Sequence, residues 1–337
     1  ILLHSIHAGL NTGTNAITTD LPEMIKVSDI SSIGVIPDFQ TVLVNLDGER
    51  HKPTIIKALE ENDPQSPFLY NARGFDSSNV TNYGNVLEFI RDGPGDLRHL
   101  GIKPTEIVAY CAPDGATSVL AFLSIASQTT AAPLAPTTSE FDTLSLLELY
   151  DAKHLIVFNN IDCPGVESAS KKLLKNGKIS IHIANVHNSG KPGWFNYSVS
   201  EIQTLSGLPL RNPNGGIALL LATSGTTSKP KAVPLLHGSI LRNGHIIAKS
   251  LGLTELDICY NIMPLFHIGG ISSSILSTLT SGGAICCDDK SFDPEGVVDA
   301  LALSNPQPTW YSAAPTIHNL TVSFIKSNAN SEKLMSH

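Results

Sequence analysis

The chain lacks the features that mark membrane proteins and nucleic-acid-binding proteins. None of its apolar stretches reaches the roughly 18–20 residues that a membrane-spanning helix needs. The longest, around residues 119–126 and 217–222, are long enough only for a protein core. Charged residues make up 15% of the 337 positions, the formal net charge is −8, and the Lys and Arg residues are scattered rather than clustered. We therefore expect neither a membrane span nor a nucleic-acid partner.

Cysteine is scarce and shows no paired spacing. The five cysteines are Cys111, Cys163, Cys259, Cys286 and Cys287. An odd number without a disulfide pattern predicts free thiols in a reducing compartment. The apolar run around Cys286 and Cys287 predicts that these two thiols are buried. The N-terminus has no basic segment before an apolar block, and the C-terminus has no targeting tripeptide. The predicted location is the cytoplasm or the peroxisome.

From Pro53 onward the sequence contains a regular alternation of helices and short apolar strands. Residues 1–52 are poorly patterned, and we predict that they form a leader or a linker. Strands are predicted at 67–71, 106–112, 131–134, 154–158, 178–184, 217–222, 257–263, 283–287 and 309–312. Helices are predicted at 54–62, around 83–90, and at 116–127, 140–150, 166–175, 237–251, 271–281, 294–303 and 315–326, with a loop at 185–215. This alternation is typical of an α/β protein with a largely parallel sheet and helices on both faces.

A loop rich in small hydroxyl residues follows the predicted strand at 217–222. Residues 223–231 read Thr-Ser-Gly-Thr-Thr-Ser-Lys-Pro-Lys. Small side chains let backbone N–H groups approach an anion, and a lysine supplies a point charge for a phosphate. The same composition is also typical of a plain surface loop. It is not a Walker A motif, because Lys229 follows Ser228 and precedes Pro230.

Two further loops also directly follow predicted strands. They cover residues 264–270 and 312–318. In open α/β sheets ligands bind beyond the carboxyl ends of the strands. We therefore predict that these two loops and the loop at 223–231 converge on one crevice.

Four segments, taken in order, resemble those of the adenylate-forming superfamily of acyl-CoA synthetases, aryl-CoA ligases, luciferases and peptide-synthetase adenylation domains. The family's phosphate loop reads Thr-Ser-Gly-Thr-Thr-Gly-x-Pro-Lys-Gly, and residues 223–232 match seven of its nine specified positions. The segments at 131–136 (Ala-Ala-Pro-Leu-Ala-Pro), 264–270 (Pro-Leu-Phe-His-Ile-Gly-Gly) and 310–318 (Trp-Tyr-Ser-Ala-Ala-Pro-Thr-Ile-His) resemble three others. The similarity covers residues 53–337 and looks most like the oxalate–CoA ligase branch of the acyl-CoA synthetases.

The resemblance implies both a fold and a reaction. The fold is the large N-terminal domain of these enzymes, with stacked, mostly parallel sheets and helices on both faces. The reaction is that of an acid–thiol ligase, which uses ATP, Mg²⁺ and CoA to convert a small carboxylic acid into an acyl-adenylate and then an acyl-CoA thioester. His267 is the implied catalytic residue, where the carboxylate meets the α-phosphate. The implied phosphate-binding residues are Thr223, Ser224, Gly225, Thr226, Thr227 and Lys231.

Several other polar and small residues have two interpretations. Gly269 and Gly270 leave space for an acyl group or serve a helix-entry turn. His318 is interpreted as a substrate contact. Thr316 is interpreted either as a substrate contact or as the residue that starts a helix. Asp288-Asp289 and the run at 92–96 are interpreted as solvated turns rather than metal sites.

The sequence also departs from the family pattern. Ser228 and Ala232 replace glycines of the phosphate loop. The chain stops before the family's Tyr-Gly-x-Thr-Glu segment, whose Glu helps to hold Mg²⁺, and before the ribose-binding Asp and the C-terminal domain with its catalytic Lys. We therefore expect residues 53–337 to be a partial large domain that is inactive alone. Two alternatives stay open, an adenylation module that loads a carrier protein and a non-catalytic nucleotide-binding remnant.

Overall fold

Two β-sheets organise the part of the chain that this computed structural model describes. The described residues are 54–72, 80–175, 177, 179–186, 191–198, 216–223, 230–288, 290 and 292–327. The strands are β1 (Pro67–Asn71), β2 (Val80–Asn82), β3 (Ile107–Cys111), β4 (Thr130–Pro133), β5 (His154–Phe158), β6 (Ser180–Val186), β7 (Phe195–Ser198), β8 (Ile217–Thr223), β9 (Lys231–Leu236), β10 (Ile258–Asn261), β11 (Ala284–Cys287) and β12 (Trp310–Ser312).

Helices connect most of these strands. They are α1 (Ile55–Glu60), α2 (Tyr83–Arg91), α3 (Ala116–Gln128), α4 (Glu140–Tyr150), α5 (Pro164–Leu174), α6 (His237–Leu251), α7 (Ile268–Gly270), α8 (Ser277–Ser281), α9 (Pro294–Leu303) and α10 (Pro315–Ser327). A 3₁₀ turn (Leu97–Leu100) precedes β3, and a π-helical turn (Ile271–Leu276) joins α7 to α8. None of the described helices has the length and apolar character needed to cross a membrane.

Both sheets are mostly parallel, as predicted. The five-stranded sheet has the order β12-β10-β11-β1-β2, and only β2 runs antiparallel to its neighbour. The seven-stranded sheet has the order β7-β6-β5-β3-β4-β8-β9, with β7 and β9 as antiparallel edges. Parallel strands require crossover connections, and here helices supply most of them.

Helix α3 lies between the two sheets. All 13 of its residues are buried, and it contacts β1 of the smaller sheet and β4 and β8 of the larger one. Helices α4 and α5 share a core with the other face of the larger sheet, while α9 shares one with the other face of the smaller sheet. The result is a layered α/β arrangement with helices on both faces of each sheet.

Side-chain caps fix where several helices begin. The Asn82 side chain accepts a hydrogen bond from the Asn85 backbone N–H at 2.7 Å, and the Asn85 side chain accepts one from the Asn82 N–H at 3.5 Å, which forms a capping box for α2. Ser139 accepts from the Asp142 N–H at 3.1 Å and starts α4. Asp293 caps α9 in the same way, followed by proline at the first helical position.

The predicted elements agree closely with the structure where periodicity is strong. The predicted bounds of β1, α4, β5, α6 and α9 are confirmed, and all five cysteines are free and buried. Predictions for residues 1–53, including the leader or linker at 1–52, lie outside the described residues, and the domain division therefore stays a prediction.

Three strands were not predicted. The assignment of residues 185–215 to a loop was wrong at β7, and the short β2 and the strand β9 carry no strand pattern of their own. Strands β7 and β9 are edges of the larger sheet, and β9 contains Pro234. Edge strands are fixed by pairing with a neighbour more than by burial, and proline within a strand points away from strand structure unless the strand is an edge.

Candidate functional site

A cavity of about 130 Å³ lies where strands of both sheets end. Three groups of its lining residues follow directly after strands: Asp114 and Gly115 follow β3, Pro264 follows β10, and Asp288 follows β11. Ile317, in the first turns of α10, also lines the cavity. Ligand sites of α/β proteins form at such carboxyl ends. We therefore take this cavity as the candidate active-site crevice.

The turn after β3 is shaped by a glycine. Gly115 starts α3 with a φ of 93°, a left-handed conformation that favours glycine. The sharp turn places the neighbouring Asp114 carboxyl at the cavity wall. Desolvation in the crevice raises the pKa of Asp114.

Asn261 gives the crevice an unused hydrogen-bond acceptor. It is the last residue of β10 and is only 7% exposed. Its Nδ2 donates to the Met263 carbonyl at 3.2 Å, so the other amide atom is Oδ1. Within the described ranges Oδ1 has no hydrogen-bond partner. A buried polar atom of this kind is costly unless a ligand or water pairs with it.

The predicted phosphate loop lies in the chain between the antiparallel strands β8 and β9. Thr223 ends β8, Lys231 begins β9, and the two residues pair directly across the hairpin. Both side chains are exposed. The predicted residues Ser224, Gly225, Thr226 and Thr227 lie outside the described residues.

Two of the three predicted strand-end loops meet at the crevice. Pro264, in the loop after β10, and Ile317, in the segment after β12, both line the cavity. Neither Thr223 nor Lys231 lines this cavity. Their part in the predicted common site stays a prediction.

His267 lies at the start of α7, just beyond the crevice wall. It is exposed, its backbone N–H donates to the Pro264 carbonyl at 3.4 Å, and its ring centroid is 4.5 Å from that of Phe266. The two glycines that follow differ in their surroundings. A Cβ on Gly270 would lie 2.4 Å from the Pro264 carbonyl oxygen, whereas one on Gly269 would meet only the end of Met263 at 3.5 Å. Gly270 therefore serves the turn, and Gly269 leaves open space.

The helix after His267 contains a π-helical turn. Ile271–Leu276 adopts this rare geometry, which occurs often at functional sites. Ser272 lies within it, and its buried hydroxyl has no hydrogen-bond partner in the described part of the chain. This hydroxyl is a further group near the His267 loop that a ligand or water could satisfy.

Tyr311 and His318 form a hydrogen-bonded pair across the connection from β12 to α10. The Tyr311 hydroxyl lies 2.7 Å from His318 Nδ1. Both side chains are half-buried, and burial raises the pKa of Tyr311, so its phenol stays protonated at neutral pH. This hydrogen bond to Nδ1 fixes the orientation of the His318 ring.

The acidic turns behave as structural elements. Asp288 Oδ1 accepts a hydrogen bond from the Lys290 N–H at 3.1 Å, as in an Asx-turn; Asp289 lies outside the described residues. The run at 92–96 is a turn that ends in Asp96, which is 1% exposed and bound by Arg98 through Nε at 2.9 and 3.0 Å. In the described ranges no group of three or more His, Cys, Asp or Glu residues is arranged to hold a metal ion.

Sequence reasoning missed Asp114, Asn261 and Tyr311 as candidate site residues. Asp114 and Asn261 lie at or just after the carboxyl end of a strand, whereas Tyr311 is the middle residue of the short strand β12. A polar residue that closes an apolar strand is the signal that could have found Asp114 and Asn261. Only the fold shows that β3 and β10, which belong to different sheets, end at the same cavity.

Comparison with known proteins finds one matching family and several similar proteins. The model of a family described as AMP-binding enzyme matches residues 60–337. The chain is 34% identical over 227 residues to an oxalate–CoA ligase of Arabidopsis thaliana, covering 65% of this chain and 42% of that protein. It is 42% identical over 112 residues to an oxalate–CoA ligase of Saccharomyces cerevisiae, covering 33% and 20%. It is 28% identical over 293 residues to the acyl-CoA synthetase FUM10 of Gibberella moniliformis, covering 83% and 51%.

Solved structures share the fold. A long-chain-fatty-acid–CoA ligase from Archaeoglobus fulgidus superposes with a TM-score of 0.65 at 19% identity, covering 83% of this chain and 55% of that one. ATP-bound MatB from Rhodopseudomonas palustris gives a TM-score of 0.60 at 16% identity, covering 80% and 50%. The chain spans about half or less of the length of the curated relatives it matches.

Proposed function

The chain belongs to the family of AMP-binding enzymes, and from this premise we propose that it carries much of the nucleotide-binding domain of an ATP-dependent carboxylate–CoA ligase. The chief support is the crevice where Pro264 and Ile317, from two of the family-like segments, line one cavity at the carboxyl ends of parallel strands. The three curated relatives above are named as CoA ligases or acyl-CoA synthetases. Binding of ATP, an acid and CoA by this protein is part of the proposal.

The proposed reaction has two steps. In the first, a carboxylate oxygen of the acid attacks the α-phosphorus of ATP, the bond from that phosphorus to the bridging oxygen breaks, and pyrophosphate leaves. In the second, a thiolate sulfur of CoA attacks the acyl carbon, the bond to the AMP oxygen breaks, and AMP leaves. Steps of this kind depend on positioning and charge stabilisation more than on a protein nucleophile.

The hairpin between β8 and β9 is proposed to hold the leaving phosphates. Lys231 lies exposed at one end of this turn, directly opposite Thr223. An ammonium in that position can neutralise the charge that develops on pyrophosphate. Further hydroxyl and backbone donors would come from Thr223 and from the loop residues that we propose act with it. These loop residues are Ser224, Gly225, Thr226 and Thr227.

His267 is proposed to act where the acid meets the α-phosphate. It is exposed at the start of α7, and its backbone is tied to Pro264, which lines the crevice. An imidazole N–H can donate to an oxygen that gains negative charge in the transition state. The open space at Gly269 is compatible with an acyl group beside it.

Mg²⁺ is proposed to enter with ATP. The described residues offer no preformed three-ligand site for a metal ion. An ATP-bound Mg²⁺ takes most of its ligands from phosphate oxygens and water and needs only one or two protein carboxylates. Its contribution when bound would be to neutralise phosphate charge.

Acid-dependent exchange of pyrophosphate into ATP, measured on the full-length protein, tests the proposed ligase function. Oxalate is the first acid to test because two relatives are named for it, and malonate, acetate and longer monocarboxylates complete the panel. We expect exchange with at least one acid, followed by formation of a CoA thioester. An absence of exchange with every acid would refute the ligase function, and transfer to a carrier protein instead of CoA would identify a carrier-loading module.

A variant of the hairpin lysine tests the phosphate site. Lys231→Ala should slow exchange by about 10²–10³-fold, because one charged contact to the leaving group is removed. Lys249→Ala is the matched control, since Lys249 is an exposed lysine in the last turn of α6. An unchanged rate for Lys231→Ala would contradict the proposed role of the hairpin.

A further inference from the structure

Tyr311 and His318 lie beside the loop that carries His267. Strand β12 pairs in parallel with β10, and Ser312 at the end of β12 is opposite Asn261 at the end of β10. The chain that leaves β10 leads to His267, and the chain that leaves β12 leads to His318. Neighbouring parallel strands end at the same edge, and both segments line the crevice through Pro264 and Ile317. The Tyr311–His318 pair therefore lies on the strand and helix next to the cavity, although neither side chain is among those that line it.

The chemistry of the pair selects one histidine tautomer. Tyr311 Oη and His318 Nδ1 are 2.7 Å apart. A phenol O–H is a stronger hydrogen-bond donor than an imidazole N–H, and an imidazole nitrogen is a stronger base than a phenol oxygen. The stable arrangement is thus one in which Tyr311 donates and Nδ1 accepts. A neutral imidazole that accepts at Nδ1 carries its proton on Nε2.

The second ring nitrogen of His318 is free to act on a ligand. Across the described residues Nε2 has no hydrogen-bond partner, and the ring is half-buried. His318 lies in the first turns of α10, a 13-residue helix whose N-terminal end carries partial positive charge. An N–H donor in this place suits an anionic oxygen.

We propose that Tyr311 is a positioning residue that holds His318 in the Nε2–H tautomer, and that His318 Nε2–H donates a hydrogen bond to a carboxylate oxygen of the acid substrate. This inference rests on the proposed ligase function. It assigns recognition of the acid to the β12–α10 segment, in addition to the His267 loop. The alternative is a purely structural role, in which the Tyr311–His318 hydrogen bond only anchors α10 to the smaller sheet.

The tautomer can be observed without any enzyme activity. The protein is labelled with ¹⁵N-histidine, and the two ring nitrogens of His318 are assigned by their chemical shifts. We expect the Nε2–H tautomer in the wild type and a mixture of tautomers in Tyr311→Phe. An Nδ1–H tautomer in the wild type would overturn the inference. The wild type is then titrated with oxalate and acetate, and a His318 resonance that moves with neither acid would overturn the substrate contact.

Steady-state exchange kinetics separate positioning from structure. Tyr311→Phe should raise the KM for the acid about ten-fold, a typical effect of one lost hydrogen bond, with little change in the KM for ATP. His318→Gln keeps an N–H donor that needs no tautomer control, so adding Tyr311→Phe to it should have no further effect. An equal penalty in both backgrounds would show a merely structural role.

A matched variant controls for nonspecific disruption of strand β12. Trp310 is half-buried on the same strand and, by strand alternation, on the opposite face from Tyr311. Trp310→Phe should leave the KM for the acid unchanged. If no acid supports exchange while oxalate or acetate still moves the His318 resonance, the ligase function fails and the binding role of His318 stands.

Discussion

His237 is expected to make the protein sensitive to mild acid. It lies at the start of α6 and is 1% exposed. Its Nδ1 accepts a hydrogen bond from the Ile55 backbone N–H at 3.3 Å, which ties α6 to the first residue of α1. Protonation would place a hydrogen on Nδ1, facing the Ile55 N–H, and would also bury a charge. Burial accordingly lowers the pKa of His237 to about 4 from an ordinary value of 6.5.

The sign and size of the effect follow from this shift. The unfolded chain binds a proton at His237 near pH 6.5, whereas the folded protein binds it only near pH 4. Stability from the neutral histidine is therefore full above pH 6.5 and is lost as the pH falls toward 4. The total is about 3 kcal/mol, of which about 2 kcal/mol is lost between pH 7 and pH 5.

Urea denaturation at pH 7, 6 and 5 measures this loss. The wild-type change also includes His154 and His182, whose pKa values are lowered by burial. His237→Asn keeps an acceptor and cannot be protonated in this range, so its free energy of unfolding should fall by about 2 kcal/mol less than that of the wild type. His245→Asn, an exposed position on the same helix, is the control and should follow the wild type. Equal pH slopes for wild type and His237→Asn would refute the reasoning.

Two further substitutions, Asp96→Ala and Gly270→Ala, test structural contacts. Asp96→Ala leaves Arg98 without its buried partner and should lower the free energy of unfolding by about 2–4 kcal/mol in urea denaturation; an unchanged midpoint would contradict a structural role for the pair. Gly270→Ala forces a Cβ against the Pro264 carbonyl and should cost about 1–3 kcal/mol. Gly269→Ala has room and should cost far less, so equal losses for the two glycines would show that the predicted clash is absent.

The fold was predictable where burial of one face or of a whole element produces a periodic or continuous apolar pattern in the sequence. Helix α3 is predominantly apolar, and it is buried between the two sheets. Helices α4 and α6 and strand β5 have their predicted bounds, because a change from one periodicity to another marks each end. Edge strands could not be found in this way. β9 contains Pro234 and is partly exposed, and only its pairing with β8 makes it a strand.

The site was predictable in its loops and less so in its geometry. The loop at 264–270 and the segment at 312–318 were expected to converge, and Pro264 and Ile317 do line one cavity. Asn261 and Asp114 meet at the cavity because β10 of the smaller sheet and β3 of the larger sheet end close together. That proximity depends on how the two sheets pack, and no local pattern reveals it.

The sequence by itself determined the α/β class, the alternation of elements and the segments that match an AMP-binding family. These follow from short-range order, since periodicity and loop composition are local properties of the chain. The tertiary structure decided that Thr223 pairs with Lys231, that β10 and β12 end together, and that Tyr311 meets His318. Such contacts depend on strand pairing and helix packing between residues far apart in the chain, so only the assembled sheets can specify them.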